Sequence, residues 1–231
     1  MKNQPHIKTE GNSKFQIGEL KENIIHYDFE KIKTYLNIKG HQLFGQNFKI
    51  YKEDEPLLFK LSCYFIQDHY SCAQMGIDTN KGILLTGPVG CGKTSLMKLL
   101  PHLAPHKTNY EMVPTRNIIF NFNASGFQVI EKYNETKNYC FDDLGIEPIG
   151  SHYAQECNVM GEILLSRYDL FTQTGQSLGL SQSLSHRTKT HITTNLNAQE
   201  LENRYGSRVR SRLRSMFNLI SFDKNSIDKR K

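Results

Sequence analysis

Residues 82–94 read Gly82-Ile83-Leu84-Leu85-Thr86-Gly87-Pro88-Val89-Gly90-Cys91-Gly92-Lys93-Thr94. Ile83 to Thr86 is a short apolar run closed by glycine, the pattern of a buried strand. A helix is expected from Gly92 to Leu100, stopping at Pro101. Between the two, Gly87 to Thr94 fits G-x-x-x-x-G-K-S/T. Glycines at such a turn let backbone N–H groups face phosphate oxygens that a Cβ would obstruct. The helix that follows adds its positive end. Lys93 can reach the outer phosphates, the Thr94 hydroxyl can ligate Mg²⁺, and Ser95 continues the cradle. A chain of this length meets the pattern by accident on the order of 1% of the time. Strand and helix on either side lower that chance further, so ATP with Mg²⁺ is the expected ligand.

The 231 residues suit one α/β domain with a modest extension. Hydrophobic residues at 38% and charged residues at 23% are those of a folded chain. No apolar run approaches the roughly 20 residues that span a bilayer. The polar stretch Met1 to Lys14 lacks a signal-peptide core, so a cytoplasmic location and no membrane partner are expected. Five cysteines without C-x-x-C spacing argue against zinc and a disulfide framework. A net charge of +6 permits a polyanionic partner without demanding one.

Strands and helices alternate from Gly82 onward. Residues 1 to about 20 read as a flexible tail, followed by a short helix near Phe29 to Leu36 and irregular chain. An amphipathic helix is expected from Asp54, with Pro56 in its first turn. After the phosphate loop, a second strand is expected at Ile118 to Phe122, then a helix near Phe127 to Tyr133. A third strand is Tyr139-Cys140-Phe141, and a long helix covers roughly Ala154 to Thr172. Gly175 to His186 has the composition of a mobile insertion. A fourth strand is Thr190 to Thr194, Asn197 caps a helix with Glu200 in capping-box position, and a last strand is Phe217 to Phe222. Repeated βα units imply a mostly parallel sheet of five strands with helices on both faces.

Three further features bear on chemistry. Asp142 and Asp143 end an apolar strand, where the first carboxylate can hold the Mg²⁺ shell and the second orient an attacking water. A solvated Asp-Asp-Leu-Gly turn is the plainer alternative, and Glu147 is a second candidate for the water. Asn195 ends the fourth strand; its amide can bond a γ-phosphate, or simply close a turn. From Arg204 to Arg214 there are five arginines. On a helical wheel Val209, Leu213, Met216 and Phe217 share one side, flanked by Arg204, Arg208 and Arg212 in one row and Arg210 and Arg214 in the other. Such arginines can be a solvated basic face, can complete a neighbouring molecule's ATP site, or can hold DNA phosphates.

Taken together these stretches resemble the DnaC/IstB group of AAA+ ATPases over roughly Leu57 to Phe222. The motifs that carry the resemblance are the residue 82–90 stretch, Phe141-Asp142-Asp143-Leu144-Gly145, Thr190 to Leu196, and Arg204-Tyr205-Gly206-Ser207-Arg208-Val209-Arg210-Ser211-Arg212-Leu213. The resemblance implies an α/β P-loop AAA+ core without a C-terminal lid, and an ATP hydrolase stimulated by DNA or partner. It implies Asn195 as a sensor of the γ-phosphate and Arg212 as the finger arginine of a shared ATP site, hence self-association. The implied partners are DNA, expected to be single-stranded, and a replicative helicase or a transposase. The domain expectation is an amino-terminal extension over residues 1–52 that chooses the partner, the ATPase unit over 53–223, and a basic tail over 224–231. Aspartate at position 143, where the group usually has glutamate, leaves room for a nucleotide-dependent scaffold with little hydrolysis. About 16 residues separate the expected second and third strands, too few for the extra helix that initiators and loaders turn toward DNA. A small-molecule kinase is disfavoured because the arginines cluster after the sensor strand, and a GTPase because no N-K-x-D follows a strand.

Overall fold

The computed structural model describes residues 4–105, 109–176 and 188–230. From Ile7 to Tyr27 the chain makes two antiparallel hairpins: β1 (Ile7–Glu10) with β2 (Ser13–Gln16), and β3 (Gly18–Lys21) with β4 (Ile24–Tyr27). Glu22 and Asn23 turn the second hairpin with φ of 48° and 67°, the conformation that closes two-residue hairpin loops. The flexible tail expected over residues 1 to 20 is therefore structured from Ile7. Helix α1 (Phe29–Phe44) follows, twice the expected length. The Asp28 side chain accepts from the Glu30 and Lys31 N–H groups at its start. Ile17 of the hairpins and Ile32, Tyr35 and Leu36 of α1 bury themselves in one cluster with Leu58 and Leu61. These last belong to α2 (Glu55–Ile66), which has Pro56 in its first turn as expected. A short α3 (His69–Gln74) leads into the sheet.

The sheet holds β5 (Gly82–Thr86), β6 (Glu111–Pro114), β7 (Tyr139–Leu144), β10 (Thr190–Thr194) and β11 (Phe217–Ser221), in the order β11-β5-β10-β7-β6. All four pairings are parallel. Five parallel strands flanked by helices match the expected architecture. Helix α4 (Lys93–Leu99) follows β5, and the chain then turns through a 3₁₀ segment, Leu100–Leu103, that takes in Pro101. Helices α5 (Thr115–Ser125) and α6 (Gln128–Lys132) lie between β6 and β7.

Here the sequence reading is corrected: Ile118 to Phe122 is helix, not the second strand. Thr115, Ile118, Ile119 and Phe122 are buried while Arg116 and Phe120 are exposed, a spacing of three and four residues that only a helix puts on one face. The true second strand, β6, has few apolar residues and ends in Pro114. It lies at the sheet edge, where a missing N–H is tolerated. The gap between second and third strands thus runs from 115 to 138 and holds two helices, in place of the 16-residue link expected.

A third hairpin, β8 (Gly150–His152) with β9 (Gln155–Cys157), precedes α7 (Val159–Gln176), displacing the helix start expected at Ala154. The Asn158 side chain accepts from Gly161 N–H at 3.1 Å and caps it. The glycine- and serine-rich stretch Gly175 to His186 lies almost wholly outside the described residues. Helix α8 (Ala198–Met216) begins in the expected capping box of Asn197 and Glu200, and Gly206 breaks it with φ 87° and ψ 162°. Among the described residues no helix is long and apolar enough to cross a membrane.

His191 sits at the centre of the sheet, fully buried against Tyr64, Phe65 and Tyr110. Its Nδ1 accepts the Ile83 N–H at 3.1 Å. Burial, with Lys189 beside it, pushes the imidazole down to about 3 from an ordinary 6.5. Because the folded value is depressed, the unfolded chain takes up the proton first, and stability is lost as pH falls below about 6.5. Urea unfolding at pH 7 and pH 5 should differ by about 2 kcal/mol from this residue. In His191→Leu the His191 part of that difference should vanish, although the variant starts less stable because Ile83 N–H loses its acceptor. An unchanged pH slope in the variant would refute the assignment.

Candidate nucleotide-binding site

The carboxyl ends of parallel strands are where such sheets hold ligands, and there a cavity of 620 Å³ opens. Val89, Gly90, Cys91, Gly92, Lys93, Thr94 and Ser95 line one side, and Asp142, Asp143 and Asn195 the other. The loop from β5 to α4 needs glycine twice over: Gly90 has φ 80° and Gly92 φ 104°, values side chains rarely adopt. Gly87 and Pro88 serve from behind, their carbonyls accepting from Lys93 Nζ at 2.9 and 2.8 Å. The same ammonium donates to Asn195 Oδ1 at 2.5 Å. Burial lowers Lys93 from the ordinary lysine value, while Cys91, Asp143 and Asp142 act in the opposite direction.

Strand β10 lies between the phosphate-loop strand and the acidic strand, and this order brings the three motifs together. Asp142 Oδ1 accepts from Thr94 Oγ1 at 2.9 Å and from Thr193 Oγ1 at 2.6 Å. Thr193 Oγ1 in turn accepts from Asp143 N–H at 2.8 Å. The β7–β10 register shifts at this point, and Asp143 takes φ 56°, a left-handed conformation that aspartate tolerates better than most residues. Burial raises the Asp143 carboxyl, and Asp142 adds to it; Lys93 and Arg230 oppose both. A hydroxyl and a carboxylate bonded to each other offer hard oxygen donors of the kind Mg²⁺ prefers, with phosphate oxygens and waters supplying the remaining positions.

Glu147 is engaged elsewhere. It is buried, accepts the Gly145 N–H at 2.8 Å and the Tyr205 hydroxyl, and pairs with Arg204 Nε at 3.4 Å. The continuous row of Arg204, Arg208 and Arg212 is corrected accordingly. Arg204 lies before the Gly206 break and is tied to Glu147, whereas Arg208 and Arg212 lie beyond it. In the other row, Arg210 pairs with Glu202 and Arg214 is exposed. The Arg212 guanidinium stacks 4.9 Å from the Tyr168 ring centroid, and its Nη1 donates to Arg208 O at 3.3 Å. Arg212 does not line the cavity of its own chain.

Sequence reading missed two walls of the cavity. One is the segment Asn47 to Tyr51 after α1, with Asp54 beyond it; the other is Phe222, Lys229 and Arg230 after β11. Neither carries a motif, and only the fold brings them to the loop.

The fold, a five-strand parallel sheet flanked by helices with the glycine-rich loop after its β5 strand, is that of a P-loop AAA+ core. No protein-family model matches the sequence, and no curated protein matches it. Among solved structures, the chain is similar to the DnaC helicase loader, with a TM-score of 0.50 at 17% identity over 75% of this chain and 92% of that one. A primosome component from Streptococcus pyogenes serotype M3 aligns with a TM-score of 0.49 at 16% identity, covering 77% of this chain and 83% of that one.

Proposed function

We propose that this chain is an ATP hydrolase that loads or positions a partner protein on DNA, in the manner of a replicative helicase loader. The observation that carries the reading is the convergence of Lys93, Thr94, Asp142, Asp143 and Asn195 on one cavity. Lys93 and the loop amides bind the phosphates of ATP. Thr94 and Asp142 hold Mg²⁺, which offsets phosphate charge when bound. Asp143 orients the attacking water, and Asn195, already bonded to Lys93, reports on the γ-phosphate. Residues 53–223 are the ATPase unit, and Arg212 completes the site of a second copy.

The partner is a helicase on this reading, supported by the shared fold with the DnaC helicase loader. Residues 1–52 present the exposed apolar side chains Leu20 and Ile24 for that contact. Exposed Arg208 and Arg214 supply cations for single-stranded DNA. The test is purification of the tagged chain from its native host with a non-hydrolysed ATP analogue, followed by identification of the co-purifying protein. A replicative helicase whose loading on single-stranded DNA then depends on the chain supports the proposal. A transposase moves the function to transposition, and a helicase that loads equally without the chain overturns the loader role.

A further inference from the structure

Beyond β11 the chain does not leave the domain. Residues 223–230 turn back so that Asp228, Lys229 and Arg230 meet the phosphate loop and its cavity, which no sequence motif foretold. The Lys229 N–H donates to Gly90 O at 3.0 Å, and its Nζ donates to Cys91 O at 3.1 Å. Two consecutive loop carbonyls are thus held by one residue from outside the loop. The Lys229 ammonium is itself held: Nζ lies 5.0 and 5.1 Å from the ring centroids of Tyr51 and Phe222 and pairs with Asp54. Both partners of that pair are nearly buried, at 10% and 12% exposure, unlike an exposed pair that would contribute little. Asp228 packs so close to Gly90 that a Cβ there would lie 2.1 Å from its Oδ1. The G-x-x-x-x-G-K-S/T pattern leaves position 90 free, so the strap adds its own demand for glycine to that of the backbone. One residue further on, Arg230 lines the cavity, near enough to Asp143 for its charge to act on that carboxylate.

A carbonyl that swings inward would point negative charge at a bound phosphate. Holding the Gly90 and Cys91 carbonyls outward keeps the loop in the shape that presents its amides. We propose that residues 223–230 are a strap on the nucleotide site, in which Lys229 positions the phosphate loop and Arg230 is a further cation for the phosphates of ATP. This rests on the ATP reading of the site and adds a cis contribution from the region beyond the sheet.

The experiment titrates fluorescent Mg·ATP and Mg·ADP analogues into the full chain and its Lys93→Ala, Lys229→Met, Arg230→Ala and Asp54→Asn variants, with a thermal melt of each. Lys229→Met keeps an unbranched apolar side chain and removes the ammonium. It should weaken both nucleotides about tenfold or more, whereas Arg230→Ala should weaken ATP about tenfold and ADP less. Asp54→Asn leaves Lys229 on the carbonyls, so it should lower the melting temperature yet change ATP affinity less than Lys229→Met. Equal affinity losses in those two variants would mean that the ion pair merely supports the fold, which overturns the positioning role. Wild-type affinity in both Lys229→Met and Arg230→Ala, with binding lost in Lys93→Ala, would overturn the strap alone. Tighter binding in either strap variant would do the same by showing obstruction. If Lys229→Met does not fold, Arg230→Ala, at an exposed position, decides. A wild-type chain that binds neither nucleotide would take down the ATP reading itself.

Discussion

Arg212→Ala is expected to lower ATP turnover about 10³-fold or more while ATP still binds. The physical ground is where this guanidinium stands. It lies past the Gly206 break, braced on Tyr168 and on the Arg208 carbonyl, and it is absent from the lining of its own cavity. On the proposed reading this cation, held away from its own cavity, serves the site of a second copy. Charge that develops during phosphoryl transfer is what such an arginine stabilises, so the ground-state affinity should hardly change. Mixing Arg212→Ala with Lys93→Ala protein tests the sharing directly. Each is inactive alone, but a mixed interface pairs one intact loop with one intact arginine, and activity should return. Normal turnover by Arg212→Ala alone, with DNA and partner present, would leave the arginines as a solvated basic face.

Asp143→Asn should keep ATP bound and slow hydrolysis by about 10²- to 10⁴-fold, the usual contribution of a positioned proton acceptor. Asparagine is as tolerant of positive φ as aspartate, so the backbone at φ 56° should stay in place. In the chain without nucleotide, burial and then Asp142 raise this carboxyl, while Lys93 and Arg230 oppose them. Glu147→Gln makes the contrast: its carboxylate is tied to Gly145, Arg204 and Tyr205, so its loss should lower the melting temperature more than the turnover. Undiminished hydrolysis by Asp143→Asn would remove that residue from the role.

The sheet and the phosphate loop were legible because their signals are local. A glycine-closed apolar run, an acidic pair at a strand end and a capping box each sit within a few residues. The second strand was misread because Ile118, Ile119 and Phe122 look like a buried strand as a run, while their spacing from Thr115 is helical. Glu111 to Pro114 hides its strand character, since edge strands need neither continuous apolar residues nor every N–H. The amino-terminal hairpins are short and polar, although Gly11-Asn12 between β1 and β2 is a hairpin signal that could have revealed the first. At the site, Lys93, Thr94, Asp142, Asp143 and Asn195 were found by motif, and the fold brings all five to one cavity. Lys229 and Arg230 were legible only as part of a basic tail. Their position depends on Tyr51, Asp54 and Phe222, contacts between segments far apart in the chain that no local pattern encodes. The arginine rows failed at Gly206, because a helical wheel assumes an unbroken helix.

Everything proposed here depends on ATP entering the cavity above the phosphate loop. Titrating a fluorescent ATP analogue, with and without Mg²⁺, into the wild-type chain and Lys93→Ala tests that most directly. Lys93 makes charge-assisted contacts to phosphate on this account, so its removal should weaken binding by about ten- to more than a hundredfold. Wild-type binding should also tighten with Mg²⁺, and Asp142→Asn should blunt that response. Equal affinity of wild type and Lys93→Ala for the analogue would contradict the account.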